Sequence, residues 1–181
     1  MEEIVKQARD LAIKWHGEQK YGDKPYVAHL DAVYETLMLC GDIHHFAEKW
    51  RLRVEILAYL HDILEDTRIP EKEILDAFGN DEWILDALRL VTGKGSNRKE
   101  RVAYTNKKLG GIGTRFELAI IVKIADRLSN VTECITTKNY ALFNMYKKEY
   151  KEFKNAVYMA RMCDKMWYIL DYMLTKNWDW S

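Results

Sequence analysis

The stretch Ile56-Leu57-Ala58-Tyr59-Leu60-His61-Asp62-Ile63-Leu64-Glu65-Asp66-Thr67 decides how this chain is read. An apolar run leads into a charged quartet, inside a segment whose periodicity predicts one helix over 46–64. Successive helical residues lie about 100° apart, so His61, Asp62, Glu65 and Asp66 fall within an arc of about 140° if the helix holds that far. Three carboxylates on one face repel one another. Desolvated beside an apolar run, they are costly unless paired or bound to a cation. A metal ion resolves the conflict. A solvated acidic helix end also resolves it, and this segment alone does not choose.

Outward from that stretch, 3.6-residue periodicity is nearly continuous and strand signals are scarce. It predicts helices at about 2–16, 26–40, 46–64, 71–78, 81–91, 98–108, 115–136 and 140–175. Pro25 fits a first helical turn, Pro70 a start after a short turn, and Gly41 and Gly79 fit helix ends. There is no repeat, linker or low-complexity segment. The expected architecture is all-α, a single helical domain over 1–181 built from about eight helices. The stripe Tyr146, Tyr150, Phe153, Val157, Met162, Met166, Leu170 and Met173 reads as core rather than as a cofactor site. Trp178 and Trp180 lie in a short polar tail whose role the sequence leaves open.

The chain has 181 residues, with 28 basic and 28 acidic side chains and no net charge. A length in this range suits one domain with a sizeable core. Balanced charge argues against a long nucleic-acid partner, which calls for a strongly basic domain. No apolar run approaches the roughly 20 residues that span a bilayer, so no membrane segment is expected. Met1-Glu2-Glu3 leads into an amphipathic pattern and not into a signal peptide. Cys40, Cys134 and Cys163 are odd in number, widely spaced and set in apolar helical patterns. They read as buried reduced thiols, and a cytoplasmic location follows. Monomer and homo-oligomer both remain open.

Two further positions bear on the quartet. His29 opens an apolar helix after Lys24-Pro25-Tyr26-Val27-Ala28. Asp126 lies inside Ile120-Ile121-Val122-Lys123-Ile124-Ala125-Asp126-Arg127-Leu128 and needs a partner there. Arg127 points about 100° away from it and is a poor direct partner. With His61 and Asp62, these residues make a mixed nitrogen and oxygen ligand set from three helices. Such a set suits Mn²⁺, Fe²⁺, Co²⁺ or Zn²⁺ better than Ca²⁺.

Charge is segregated as well. Residues 93–115 hold seven cations against Glu100 alone, a net of +6, and five of the nine glycines. A basic helix between glycine hinges could close over a polyphosphate. An exposed, solvated helix is the plainer alternative.

These motifs together resemble the HD metal-dependent phosphohydrolase superfamily, and more closely its RelA/SpoT-type alarmone hydrolases. His61-Asp62-Ile63-Leu64-Glu65-Asp66-Thr67 is similar to their HDxxEDT signature. Ile124-Ala125-Asp126-Arg127-Leu128-Ser129-Asn130 is similar to their ADR-L-x-N motif. The opening HGEQKYGDKPYVAH at 16–29 and the pairs Phe78-Gly79 and Val91-Thr92 also fall in place, so nearly the whole chain is covered, as in a stand-alone small hydrolase. The resemblance implies one Mn²⁺ held by His29, His61, Asp62 and Asp126, with Glu65 and Asp66 handling the attacking water and its proton. It implies a small anionic nucleotide substrate, a guanosine alarmone or an adenosine analogue, that loses its 3′-pyrophosphate. Lys20, Tyr21, Lys94, Arg98, Arg101, Lys107, Arg127 and Asn130 complete the expected substrate-binding set. Three departures stand out: Lys20-Tyr21 where the family often carries an arginine, Leu30 after His29 where it has proline, and Ser129 where it has histidine. The competing readings are a phosphatase for another nucleotide, such as NADPH or a dNTP, and a non-catalytic nucleotide-binding module.

Overall fold

Residues 117–136 carry apolar side chains on almost every side of the helical wheel, and a helix of that kind belongs in an interior. A computed structural model describes residues 1–111, 116–176 and 178, and in it this segment is the central helix. Among the described residues the elements are α1 (Glu3–His16), a two-residue antiparallel pair β1 (Lys20–Tyr21) and β2 (Lys24–Pro25), α2 (Val27–Cys40), α3 (Glu48–Leu60), α4 (Ile63–Asp66), α5 (Glu71–Ala77), α6 (Glu82–Val91), α7 (Arg98–Leu109), α8 (Glu117–Thr136), α9 (Tyr140–Val157) and α10 (Asp164–Thr175). Helix α8 packs against α2, α3, α6, α9 and α10. The second half of α3 is buried on all sides from Val54 to Leu60. Its one acid, Glu55, is matched by Arg51 at 2.8 Å and by the Tyr34 hydroxyl. The all-α expectation holds, and none of the described helices is long and apolar enough to cross a membrane.

The chain departs from the expected helices at three places. The helix predicted over 46–64 stops at Leu60, and α4 begins afresh at Ile63. The buried His61 ring donates from Nδ1 to the Ala58 carbonyl at 2.8 Å, and Asp62 turns to φ −100°, ψ −3°. The side chain thus takes a carbonyl at the end of the helical ladder, and the chain turns to aim Asp62 inward. The helix predicted over 140–175 divides at Tyr158–Cys163, where Arg161 and Cys163 have positive φ. Its stripe stays in the core at Tyr146, Tyr150, Phe153, Val157, Met166 and Leu170. Finally, Pro25 belongs to β2 and precedes α2; the Tyr26 amide bonds back to the Gln19 carbonyl at 3.0 Å and closes residues 20–25 into a hairpin.

At the end of α2, Gly41 leaves no room for a side chain, since a Cβ there would meet the Leu37 carbonyl oxygen at 2.5 Å. All three cysteines are free, Cys134 and Cys163 buried and Cys40 half-buried. Trp178 packs on the core and donates to the Met173 carbonyl. Trp180 lies outside the described residues, as do Gly113 and Arg115 of the basic segment.

Candidate metal centre and active-site cleft

Three helices deliver the predicted ligands to one point. His29, in the first turn of α2, His61, just past α3, and Asp126, midway along α8, converge in a group that could hold a metal ion. The Asp126 Oδ1 oxygen lies 3.4 Å from His29 Nε2 and 3.7 Å from His61 Nε2. Asp62, the fourth predicted ligand, falls outside that group of three but adjoins it, with its Oδ2 3.0 Å from His61 Nε2 and 3.7 Å from His29 Nε2. Both histidines are buried.

The histidine chemistry fits a cation. A carbonyl only accepts, so the bond to Ala58 makes His61 Nδ1 the N–H nitrogen. Its Nε2 then faces two carboxylates and, though buried, has no hydrogen-bond partner. A lone pair aimed at carboxylates is repulsive until a proton or a metal ion stands between them. Burial alone would lower the His61 imidazole, but Asp62 and Asp126 outweigh it and push it up to about 10. The His29 imidazole is raised against burial by the same two carboxylates. Burial would in turn raise both carboxyls. Instead, Lys123 and the two histidines hold Asp126 far below its ordinary range, and His61 and His29 do the same for Asp62.

A second layer orients these groups. Lys123 Nζ donates to Asp126 Oδ2 at 2.6 Å, three residues back on the same helix. Asn130 Nδ2 donates to Asp126 Oδ1, and the Tyr21 hydroxyl donates to Asn130 Oδ1 at 2.9 Å. The Tyr21 ring stacks on His29 at 4.7 Å. Tyr26 donates to Asp62 Oδ2 at 2.7 Å. Burial and the adjacent Asp62 raise its phenol far above the ordinary range, so it remains a donor. Lys123 and Tyr26 were not anticipated from the sequence. Lys123 was legible from its i−3 spacing to Asp126; Tyr26 acts across the fold and carries no local signal.

The site opens into a cleft of about 300 Å³. Asp62, Glu65 and Asp66 all line it; the Glu65 and Asp66 amides donate back to the Asp62 carbonyl at 3.1 and 2.9 Å, so the three acids share the one turn of α4. Glu65 Oε2 accepts from the Gly93 amide at 2.8 Å, and Oε1 lies 3.1 Å from Arg101 Nε. Asp66 Oδ2 accepts from Gln19 Nε2 at 2.8 Å.

Helix α7 forms the opposite wall. Of the expected substrate-binding residues, Tyr21, Arg98, Arg101, Arg127 and Asn130 line the cleft. Lys20, Lys94 and Lys107 do not. Lys20 is exposed beside Tyr21 on a strand whose successive side chains alternate faces. Lys94 and Lys107 are exposed on the basic segment. Arg98 and Arg127 share one carboxylate, Glu149, each at 2.9 Å, so the pair presents one surplus positive charge. Arg127 also lies over the Tyr146 and Phe153 rings and is buried, which makes it a packing element as well.

No family model matches the chain. The guanosine-3′,5′-bis(diphosphate) 3′-pyrophosphohydrolase of Aquifex aeolicus is 33% identical over 131 residues, covering 71% of this chain and 17% of that protein. The protein of the same name from Borreliella burgdorferi is 28% identical over 188 residues, covering 82% and 26%. The chain spans about a quarter or less of the length of the curated relatives it matches. Among solved structures, a metazoan ortholog of SpoT, described as hydrolysing ppGpp and as having a role in starvation responses, superposes with a TM-score of 0.74 at 20% identity, over 96% of this chain and 94% of that one. In fold the chain is like that ortholog, and in sequence it is similar to the two pyrophosphohydrolases, in line with the resemblance its motifs carry.

Proposed function

We propose that this chain is a divalent-metal-dependent hydrolase that removes the 3′-pyrophosphate from a guanosine alarmone, ppGpp or pppGpp. The observation that carries the reading is the buried His61 Nε2, which no hydrogen bond satisfies, set behind His29, Asp62 and Asp126, which line a cleft walled by arginines. The names of the sequence relatives supply the substrate class.

In this reading His29, His61, Asp62 and Asp126 would hold the ion; their mixed nitrogen and oxygen donors suit Mn²⁺, Fe²⁺, Co²⁺ or Zn²⁺, and the family resemblance implies Mn²⁺. The bound ion supplies Lewis acidity toward a phosphoryl oxygen and acidifies water. Glu65 and Asp66, one turn further along the chain, hold and receive the proton of the attacking water. Arg101 and the Arg98–Arg127 pair receive phosphate oxygens, in competition with Glu65 and Glu149. Tyr21 and Asn130 border the sugar and base.

Purified protein with Mn²⁺ and a panel of ppGpp, pppGpp, their adenosine analogues, NADPH and dNTPs tests the reading. Turnover of ppGpp or pppGpp with release of pyrophosphate is expected; survival of both while another nucleotide is consumed overturns the substrate. Asp62→Ala should abolish metal binding and turnover together. Glu65→Gln and Asp66→Asn should keep the metal and lower kcat at least about 100-fold, the scale of a general acid–base contribution.

A further inference from the structure

The opening motif contains one buried group that the proposed reaction leaves unused. His16, the last residue of α1, is 6% exposed, and its Nε2 has no partner. Its Nδ1 lies 2.9 Å from Gln19 Oε1, and the other end of that amide, Nε2, donates to Asp66 Oδ2 at 2.8 Å. The polarity of this chain follows from Asp66. A carboxylate oxygen accepts, so the amide nitrogen of Gln19 faces Asp66 and the amide oxygen faces His16. His16 Nδ1 must therefore carry the hydrogen. The His16 ring also stacks face to face on Tyr26, with centroids 4.3 Å apart and planes at 17°, and Tyr26 donates to Asp62. The turn between them is closed by the bonds from Gln19 N to His16 O and from Tyr26 N to Gln19 O, at 2.9 and 3.0 Å.

We infer that His16 is a positioning residue for the reaction: its Nδ1–H locks the Gln19 amide, which aims the Asp66 carboxylate, while its ring seats Tyr26 against Asp62. The inference rests on the hydrolase reading for its kinetic consequence, but the hydrogen-bond polarity stands apart from it. Without the Nδ1 donor the Gln19 amide oxygen loses its anchor, so the side chain that donates to Asp66, and the carboxylate with it, gains rotational freedom. Such a loss acts on kcat. It leaves in place the four proposed metal ligands, of which Asp66 is not one.

The test compares wild type with His16→Ala, His16→Asn, His16→Gln and Gln19→Leu. Asparagine puts its amide nitrogen where Nδ1 stands; glutamine puts it where Nε2 stands. With Mn²⁺ and ppGpp, His16→Ala and Gln19→Leu should lower kcat roughly 10- to 100-fold, with KM and Mn²⁺ affinity within about threefold of wild type. His16→Asn should recover most of the loss and His16→Gln should not. Equal loss in the Asn and Gln variants, or loss carried in Mn²⁺ affinity, overturns the positioning role. Gln19→Leu leaves the buried histidine intact, so it keeps the test valid if His16→Ala does not fold. Inactive wild-type protein would count against the hydrolase reading only. In that event ¹⁵N NMR of the metal-free protein decides: a proton on His16 Nδ1 that is lost in Gln19→Leu supports the inference, and an unprotonated Nδ1 in wild type overturns it.

Discussion

At the scale of single residues, the metal-free site is held together by protons that an ion must displace. His61, pushed up to about 10, keeps its proton at neutral pH, yet the ion needs the Nε2 lone pair. Mn²⁺ affinity should therefore rise with pH between neutrality and about 10, and calorimetry in buffers of different ionisation enthalpy should record release of at least one proton. The same shift makes a stability prediction. The folded value of His61 lies above the ordinary 6.5, so its contribution is complete below about pH 6.5 and is lost as pH climbs toward 10. Asp62 and Asp126 lie below the ordinary 3.8; their contribution is present above about that pH and fades as pH falls further. Thermal melts of the metal-free protein should accordingly fall on both sides of the range from mildly acidic to neutral pH. Tyr26→Phe removes one donor to Asp62 and should weaken Mn²⁺ binding by about tenfold, measured by titration.

At the scale of elements, the informative features are the ends of helices. His61 and Asp62 work as they do because α3 stops before them. An unbroken helix would carry Glu65 and Asp66 on the same face as His61, as the spacing predicts. The break sends Glu65 to the Gly93 amide and Arg101, and Asp66 to Gln19. Gly93 couples this turn to α7, since a Cβ there would stand 2.8 Å from Arg101 Cβ and 3.0 Å from Glu65 Oε2. Gly93→Ala should displace Glu65 and cost more in kcat than in stability, with an unfolding penalty of about 1–3 kcal/mol by denaturant titration. Asn97 caps α7 by accepting from the Glu100 amide at 3.0 Å. Asn97→Ala should cost about 1 kcal/mol. The basic segment is less free than its glycines suggested: Arg98 and Arg101 are paired to acids, and Lys108 donates to the Arg89 and Thr92 carbonyls at the end of α6.

At the scale of the molecule, α8 organises the fold, and the site inherits its rigidity. Asp126 sits in a helix with Ala119, Ile124 and Ala125 wholly buried around it. Truncating a neighbour in that core, as in Leu57→Ala, should cost about 2–5 kcal/mol and be measurable as a lowered midpoint in urea.

The all-α class is legible from periodicity alone, and polar residues stranded in or beside apolar runs single out His29, His61, Asp62, Asp126, Glu65 and Asp66 as candidates. The split between α9 and α10 is not part of that reading, which predicts one helix over 140–175; the chain breaks where the stripe takes its five-residue step from Val157 to Met162. Which of the cations face the cleft is settled by the packing of α7, which separates Arg98 and Arg101 from Lys20, Lys94 and Lys107. Only the tertiary structure disclosed Tyr26, Gln19 and His16 as the groups that orient the acids. The reason is physical. Helical spacing sets which side chains share a face, whereas the partner of a buried polar atom is chosen by elements that meet across tens of residues. The proton on a histidine nitrogen is settled by whichever carbonyl or carboxylate happens to stand opposite.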